Sequence, residues 1–265
     1  MEPMEPFGLG IARSNEPVAA EEQLRALGAA IAASLSIEVR PTQTKDYREL
    51  ADAVAACEVA MAWLPPLVAM ELSARELAEP IALPVRNDAT SYRAALFVTV
   101  GGPRSLSALG GSRVAWVDRA SAAGYAVPRM MVAAAGHDPA TFFATESFYQ
   151  SHDRAVDAVL ADLADVGATY CRTDEAGRVL WAGWAEHDGL YPERVQVVAM
   201  SEPIPNDVWV IGAAVPAERR AALVELLTRA GPVQEQACRL LRAERFVRAE
   251  PSHFGPLETL ARRAG

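Results

Sequence analysis

The segment 117–125 has the residue types to hold an anion, because it joins a strand-like run to the start of a helix and consists largely of small residues. The first amide groups of a helix have no partner within the helix, and the aligned peptide dipoles add partial positive charge there. A phosphate, phosphonate or carboxylate group can therefore bind against residues 121–124. The small side chains of Ser121, Ala122 and Ala123 keep the approach open, so we predict an anion site at this turn.

Composition and charge narrow the range of partners. The chain has 265 residues and a formal net charge of −9, and it contains no cluster of basic residues. Nucleic-acid binding depends largely on basic side chains that displace counterions from phosphates, so we exclude nucleic acid as a partner. No apolar run approaches the roughly 20 residues that a membrane-spanning helix needs. The sequence therefore predicts a globular protein with no membrane span.

Motifs for metals and cofactors are missing from the sequence. Cys57, Cys171 and Cys238 are far apart, so they form neither a disulfide framework nor a CxxC pair, and we interpret them as buried free thiols. Lys45 is the only lysine, and no GxxxxGK[ST] loop for nucleotide phosphates is present. No HxxxH or HExxH pattern for zinc occurs either. We predict no cofactor and no metal.

Two runs of alternating strand and helix patterns predict an α/β protein with two lobes. The first run covers about the first 90 residues, and the alternation starts afresh after a strand-like stretch at 91–100. A polar link with two prolines precedes a strand that returns to the first lobe. We predict that each lobe is a mostly parallel sheet flanked by helices. Lobe 1 comprises residues 1–93 and 205–265, lobe 2 is the insertion 94–204, and hinges lie near 91–97 and 200–208.

Hydrophobic periodicity and capping residues set the predicted elements. Asp46, with Glu49 three residues later, forms a capping box at the start of one helix, Ser151 caps another helix, and Gly136 ends a third. The predicted helices are 20–34, one from 46, 67–78, 122–135, 152–163, 217–230 and 233–247. The predicted strands are 7–12, 37–40, 58–63, 81–85, 91–100, 114–118, 142–148, 166–170, 194–200 and 208–215.

Six short motifs occur in an order that resembles one protein family. They are Asp-Tyr-Arg-Glu-Leu (46–50), Ala-Trp-Leu-Pro-Pro (62–66), Ser-Tyr-Arg (91–93), the segment 117–125, Ser-His-Asp (151–153) and Ser-Glu-Pro-Ile-Pro-Asn (201–206). From about residue 7 to 230 the chain resembles the phosphonate- and phosphite-binding substrate-binding proteins of ABC transporters, a PhnD-like family. The resemblance implies a type 2 periplasmic-binding fold that closes on a small anionic ligand in a cleft between the lobes. It also implies a permease as partner, and a signalling protein is the alternative partner.

One motif departs from the family pattern. The family commonly reads Asp-Pro-x-Ser-Thr-Ser-Gly where this chain has Asp118-Arg119-Ala120-Ser121-Ala122-Ala123-Gly124, so only Ser121 keeps its hydroxyl. The backbone amides survive the change, but two charge-assisted hydrogen bonds of roughly 1.5 to 3 kcal/mol each are missing. A carboxylate, a sulfonate or a larger and less charged ligand therefore becomes a candidate beside phosphonate.

Two kinds of ring are candidates for contact with the anion. His152, at the start of a helix, can donate to an anion and change charge near neutral pH, although a surface or capping histidine is the alternative. Tyr47 and Tyr92 can each place a phenol beside the ligand, and a buried tyrosine with a structural partner is the alternative for both. The resemblance supports His152.

Position in the fold suggests further candidates. Trp63 and Tyr170 lie at the carboxyl ends of predicted strands, where open α/β sheets bind ligands, although Trp63 fits an aromatic core equally well. Asn206 lies in the return hinge. His187 lies in a tryptophan-rich stretch, 181–188, that we interpret as an exposed loop, with a mobile flap as the alternative.

We predict binding without covalent chemistry as the leading function. A lyase on the same scaffold, with His152 or Asp118 as the acid or base, is the first alternative. A sensor whose closure is read by a partner protein is the second. Because the first residues carry Glu2 and Glu5 in place of a cationic signal, the sequence predicts a cytoplasmic protein, or a periplasmic one if an export segment has been removed.

Overall fold

The computed structural model describes residues 6–12, 17–174, 177–184 and 193–264. Contacts between Cα atoms divide the chain into two compact units. Unit 1 comprises Met1–Thr90 and Pro205–Phe254, and unit 2 comprises Ser91–Ile204 and Gly255–Gly265. Each unit has its own sheet and its own hydrophobic clusters. No helix within the described ranges is both long enough and apolar enough to cross a bilayer.

The strands and helices alternate along much of the chain. The strands are β1 (Phe7–Ala12), β2 (Val39–Thr44), β3 (Met61–Leu64), β4 (Ala78–Val85), β5 (Ser91–Thr99), β6 (Arg113–Trp116), β7 (Thr145–Phe148), β8 (Val166–Thr173), β9 (Val179–Ala182), β10 (Val195–Met200), β11 (Ile204–Pro205), β12 (Val208–Gly212) and β13 (Arg245–Arg248). The helices are α1 (Pro17–Leu35), α2 (Tyr47–Ala55), α3 (Pro66–Ala74), α4 (Val127–Ala134), α5 (His152–Leu160), α6 (Ala217–Thr228), α7 (Pro232–Leu241) and α8 (Pro251–Ala264).

The sheet of unit 1 has the strand order β13-β4-β12-β3-β1-β2. β1 pairs in parallel with β2 and with β3, whereas β12 is antiparallel to both β3 and β4. Strands β1 to β4 therefore run in one direction, and β12 and β13 run against them. The sheet is mixed rather than mostly parallel in its pairings, because the strand that returns from unit 2 lies between β3 and β4.

The sheet of unit 2 repeats this arrangement in the order β10-β5-β8-β6-β7. β6 pairs in parallel with β7 and β8, whereas β5 is antiparallel to β8 and β10. In each unit, the antiparallel strand in the interior of the sheet is the first strand after the chain arrives from the other unit. β9 is a short strand with no predicted counterpart, and it pairs with the carboxyl end of β8.

The central strands are almost continuously buried because helices cover both faces of each sheet. β12 is buried at all five positions, and β3 at all four. Residues of β1 and β3 that point to one face join Trp209 and Phe246 in one cluster, while Leu64, Val208 and Val210 join a second cluster on the other face. Unit 2 has two corresponding clusters.

Several predicted elements are wrong in extent or type. The predicted helix 233–247 ends at Leu241, because Arg242 takes a left-handed conformation with φ of 50° and strand β13 follows. In β13, Phe246 joins one face of the core while Val247 packs on the other, which is the period of a strand and not of a helix. Helix α8 has no counterpart among the predicted elements. Cys57, expected to be buried, is exposed, whereas Cys171 is buried.

Candidate functional site

The predicted anion turn in unit 2 begins directly after β6 and is built from local hydrogen bonds. The carboxylate of Asp118 accepts from the amide of Ala120 at 2.7 Å, and the Asp118 carbonyl accepts from the amide of Ser121 at 3.0 Å. The Ser121 hydroxyl oxygen then accepts from the amide of Gly124 at 3.0 Å, which makes Ser121 the N-cap of the following helix. The Asp118 carboxylate therefore stabilises the turn by a hydrogen bond, which argues against a role as a catalytic acid or base.

The turn presents hydrogen-bond donors that have no partner among the residues that the structure describes. The amides of Ala122 and Ala123 bond to nothing within the described residues, as expected for the first turn of a helix. The Ser121 hydroxyl accepts one bond, so its hydrogen remains available for donation. Three donors thus stand together at the positive end of a helix dipole.

The first turn of this helix is π-helical, not the α-helix that the sequence predicts from residue 122. It spans Ala122–Ala126 and runs directly into α4, and the amide of Ala126 bonds to the carbonyl of Ser121, five residues back. Pro128 has no amide hydrogen to donate to Gly124, so the Gly124 carbonyl accepts from Val117 at 3.1 Å instead. Such π-helical turns recur at functional sites.

Gly124 allows the turn to lie against the end of β6. A Cβ atom at this position would stand 2.4 Å from Cγ2 of Val117 and 2.8 Å from the Ser121 hydroxyl oxygen. No larger residue fits without moving the turn away from the strand. The helix also packs against β5 and β8, which connects the anion turn to the next group of residues.

His152 is the first residue of α5, and its ring lies against β8. Ser151 caps this helix, as predicted, by accepting from the amide of Arg154 at 3.3 Å. Nδ1 of His152 lies 2.9 Å from the hydroxyl oxygen of Thr169, and the ring meets that of Tyr170 edge to face at 4.6 Å. β8 thus carries both partners of His152 and contacts the anion turn as well.

His152 is neutral at physiological pH. Burial lowers the pKa of its half-buried ring to about 4, and the nearby charge of Asp153 opposes this shift only in part. The prediction that His152 changes its charge near neutral pH is therefore wrong. The ring can still form a directed hydrogen bond to an anion. Tyr92, at the second position of β5, and Tyr170 are both half-buried.

Unit 1 places Tyr47 at the equivalent position, as the first residue of α2. Asp46 caps this helix by accepting from the amides of Arg48 at 3.0 Å and Glu49 at 2.9 Å. The Glu49 carboxylate accepts in return from the amide of Lys45 at 2.7 Å, one residue before the donor that a capping box uses. The predicted cap is confirmed, and it holds the Tyr47 phenol at the start of the helix.

The carboxylate of Asp207 is near enough to Tyr47 for its charge to affect the pKa of the phenol. Burial raises the pKa of Asp207, and the guanidinium of Arg86 lowers it. Burial also raises the pKa of Tyr47 far above its usual value, with the charge of Asp207 as the second cause. Within the described residues neither the Asp207 carboxylate nor the Tyr47 hydroxyl has a hydrogen-bond partner. Both residues are half-buried, so a ligand can supply a hydrogen-bond partner to each.

Arg86 is held by contacts of its own. Its guanidinium donates to the carbonyl of Leu241 at 2.7 Å and lies 6.0 Å from the ring centroid of Trp63. The hairpin that follows Arg86 is fastened by Glu244, whose carboxylate accepts from the amides of Asn87 at 2.6 Å and Asp88 at 3.3 Å.

Two predicted site residues serve the structure instead. Trp63 is 5% exposed, and its ring packs edge to face against Trp209 at 5.4 Å, which favours the aromatic-core alternative. Asn206 is 4% exposed, and its amide nitrogen donates to the carbonyls of Pro84 at 3.0 Å and Ala89 at 3.3 Å. Both hydrogens of that amide group are therefore used within the protein.

Three residues of these groups are not among those singled out from the sequence: Arg86, Thr169 and Asp207. Arg86 directly follows the apolar strand β4, and Asp207 directly precedes the apolar strand β12. For Arg86 and Asp207 the available signal was a charged residue that adjoins a largely buried strand. His187 lies outside the described residues. Within those residues, no three His, Cys, Asp or Glu side chains are grouped to hold a metal ion.

One comparison with known proteins shows a family. The family model described as ABC transporter, phosphonate, periplasmic substrate-binding protein matches residues 9–254. Three solved structures show the same fold at low identity. XAC2383 from Xanthomonas citri, solved bound to ATP, is 19% identical, with a TM-score of 0.77 over 97% of this chain and 96% of that chain.

The other two structures carry phosphonate in their descriptions. A binding protein component of an ABC phosphonate transporter from Pseudomonas aeruginosa is 21% identical, with a TM-score of 0.66 over 97% of this chain and 85% of that chain. PhnD1 from Prochlorococcus marinus, in complex with methylphosphonate, is 14% identical, with a TM-score of 0.65 over 98% of each chain. No curated protein matches the sequence.

Proposed function

Because the chain belongs to the family of phosphonate-type periplasmic substrate-binding proteins of ABC transporters, we propose that it binds a small oxyanion at the turn 121–124 of unit 2. The observation that carries the proposal is a set of donors at this turn without an acceptor in the described part of the chain, namely the amides of Ala122 and Ala123 and the hydroxyl of Ser121. Together with the helix dipole they favour a negative group. The family is one of binding proteins, so we propose binding without turnover.

The donors at this turn determine the class of ligand. Ala122 and Ala123 stand where the family commonly carries hydroxyl side chains, so this turn offers two fewer donors to a doubly charged phosphonate. Each missing bond to a charged group costs roughly 1.5 to 3 kcal/mol. We therefore expect weaker binding of phosphite and methylphosphonate than a turn with three hydroxyls would give. The affinity for singly charged sulfonates should fall less, because a singly charged group needs fewer hydrogen-bond donors than a doubly charged phosphonate.

Calorimetry with a panel of anions tests the proposal. The panel contains phosphite, methylphosphonate, methanesulfonate, acetate and ATP, the last because the Xanthomonas citri protein was solved with it. We expect binding of at least one oxyanion, and a roughly tenfold weaker affinity for Ser121→Ala, since one hydrogen bond to a charged group is lost. No heat with any anion, in a protein shown to be folded by circular dichroism, contradicts the proposal.

A gain of function sharpens the test. Ala122→Ser adds one hydroxyl to the turn, and we expect it to tighten methylphosphonate binding by roughly tenfold. Ala120→Ser is the matched control, because residue 120 is exposed and precedes the cap. Equal effects of the two substitutions contradict the assignment of the site to the helix start.

The family implies a place of action and a partner. Its members are periplasmic proteins of ABC transporters, so we propose that this protein acts in the periplasm and delivers its ligand to a membrane permease. Fractionation of the native host tests the compartment, since recovery with the cytoplasmic fraction overturns the periplasmic assignment. A signalling protein in place of the permease is the alternative, which pull-down with a liganded and an unliganded bait distinguishes.

A further inference from the structure

The hydrogen bond between His152 and Thr169 can be made in two ways, and they have different consequences for a ligand. A neutral imidazole carries its hydrogen on one ring nitrogen and accepts with the other. With the hydrogen on Nδ1, His152 donates to Thr169 and its Nε2 is an acceptor. With the hydrogen on Nε2, Thr169 donates to Nδ1 and Nε2 becomes a donor. Only the second form offers an oxyanion a hydrogen.

The surroundings of Thr169 select between the two forms. Thr169 is fully buried in β8, and Nδ1 of His152, at 2.9 Å, is the partner of its hydroxyl within the described part of the chain. If His152 donated, the Thr169 hydroxyl hydrogen would remain in the interior without an acceptor, which is unfavourable. If Thr169 donates, its hydroxyl hydrogen has an acceptor in Nδ1, and the hydrogen on Nε2 is left for a ligand.

The backbone of Gly183 lies close to the Thr169 hydroxyl. A Cβ atom at Gly183 would stand 2.1 Å from the Thr169 hydroxyl oxygen and 3.5 Å from Cβ of His152. The amide of Gly183 is itself bonded to the carbonyl of Tyr170 at 3.1 Å, which fixes the backbone there. Thr169 is 0% exposed, so bulk solvent does not supply the missing acceptor.

We propose that Thr169 is a positioning residue that holds His152 with its hydrogen on Nε2, so that an oxyanion bound in unit 2 meets an uncharged N–H donor. The role of the donor in binding rests on the function proposed above, whereas the hydrogen placement does not. The low pKa of His152 agrees with a neutral ring. The Tyr170 ring, edge to face with the imidazole, limits its rotation.

Nitrogen-15 NMR of the unliganded protein at pH 7 measures the hydrogen placement directly. His152→Gln identifies the His152 signals, and the shifts of Nδ1 and Nε2 distinguish the two forms. We expect the Nε2–H form in the wild type and in Thr169→Ser, and a mixture of forms in Thr169→Val, which keeps the shape but removes the hydroxyl. An Nδ1–H form in the wild type overturns the proposal.

Binding then tests the consequence. We expect Thr169→Val to weaken the affinity for methylphosphonate by about tenfold and Thr169→Ser to restore it to within a factor of about two. Circular dichroism confirms folding of both variants. Unchanged affinity and an unchanged ring form in Thr169→Val overturn the positioning role. If the wild type has the Nε2–H form but binds no anion, the function proposed above fails and the hydrogen placement stands.

Discussion

Units 1 and 2 have the same strand arrangement, but the polar groups around their corresponding rings differ. Their core strand orders correspond, β2-β1-β3-β12-β4 in one and β7-β6-β8-β5-β10 in the other. In each unit, the helix that follows the outermost of these strands begins with a half-buried ring, Tyr47 in α2 and His152 in α5, behind a capping residue. In unit 1 the charges of Asp207 and Arg86 act on the phenol. In unit 2 the imidazole is hydrogen-bonded to the Thr169 hydroxyl, and the charge that acts on it is that of Asp153.

The difference shows that topology fixes where a group stands but not its charge. Unit 2 offers neutral donors: two amides, a hydroxyl and an imidazole held neutral by burial. Unit 1 keeps Asp207 half-buried without a hydrogen-bond partner among the described residues, an arrangement that costs stability and is typical of a functional residue. Four substitutions test this contrast, and their expected effects range from disruption of the anion turn to a small change seen only at low salt.

Gly124→Ala should have the largest effect, because its Cβ would overlap Val117 at 2.4 Å. We expect a loss of about 3 kcal/mol in the free energy of unfolding, and loss of oxyanion binding. Urea denaturation and calorimetry measure the two quantities. Gly255→Ala is the control, since a Cβ there meets nothing within 4 Å and a helical glycine gains from the change. Equal stability of the two variants contradicts the close packing of the turn.

His152 should make unit 2 sensitive to acid. The folded-state pKa, about 4, lies below the ordinary histidine value of 6.5, so the unfolded chain binds more protons between these values and stability falls as the pH falls. We expect the wild type to lose about 2 kcal/mol more than His152→Gln between pH 7 and pH 5. Urea denaturation at both pH values measures this difference. Parallel losses in the two proteins show that the ring is not buried neutral.

Asp207→Asn should stabilise the protein. Because burial raises the folded-state pKa of Asp207, the charged form penalises the folded state at neutral pH, and the penalty disappears on protonation. We expect a gain in the free energy of unfolding at pH 7 that decreases as the pH falls through the folded-state pKa and vanishes below the pKa of the unfolded chain. Asp52→Asn, at an exposed position, should change little. Destabilisation by Asp207→Asn means that the attraction to Arg86 outweighs the cost of burial.

Asp165→Asn should have the smallest effect. Hydrogen bonds from Arg113 lower the pKa of Asp165, so its contribution is present at neutral pH and is lost as the pH falls through the folded-state value. Both side chains are about two-fifths exposed, at 43% and 41%, so solvent and salt screen the pair. We expect Asp165→Asn to melt at a slightly lower temperature than the wild type at low ionic strength and at the same temperature in high salt. A decrease that persists in salt identifies a less screened network.

Local signals in the sequence were sufficient for many elements. Asp46 and Ser151 cap helices where predicted, and Gly136, with φ of 84°, follows the end of α4. Strand β1 was predicted to the residue, and β5 to within one residue. These features depend on neighbours along the chain, which a sequence displays directly. The order of motifs also identified the family correctly.

Features that depend on distant residues were not predicted. Arg86 influences Asp207 only because β12 inserts beside β4, which brings together residues about 120 positions apart. The π-helical turn depends on Gly124 packing against Val117, and β13 depends on an open edge of β4. The low pKa of His152 depends on burial, which single-sequence periodicity does not reveal.

The lysine that precedes the cap of α2 allows the protein to be labelled at one site. Lys45 is the only lysine, its side chain is 86% exposed, and it stands two residues before Tyr47. Apart from the terminal amine, it is therefore the sole target for an amine-reactive fluorophore. A dye attached there would report on the environment of the phenol by a change in emission, without any engineered cysteine.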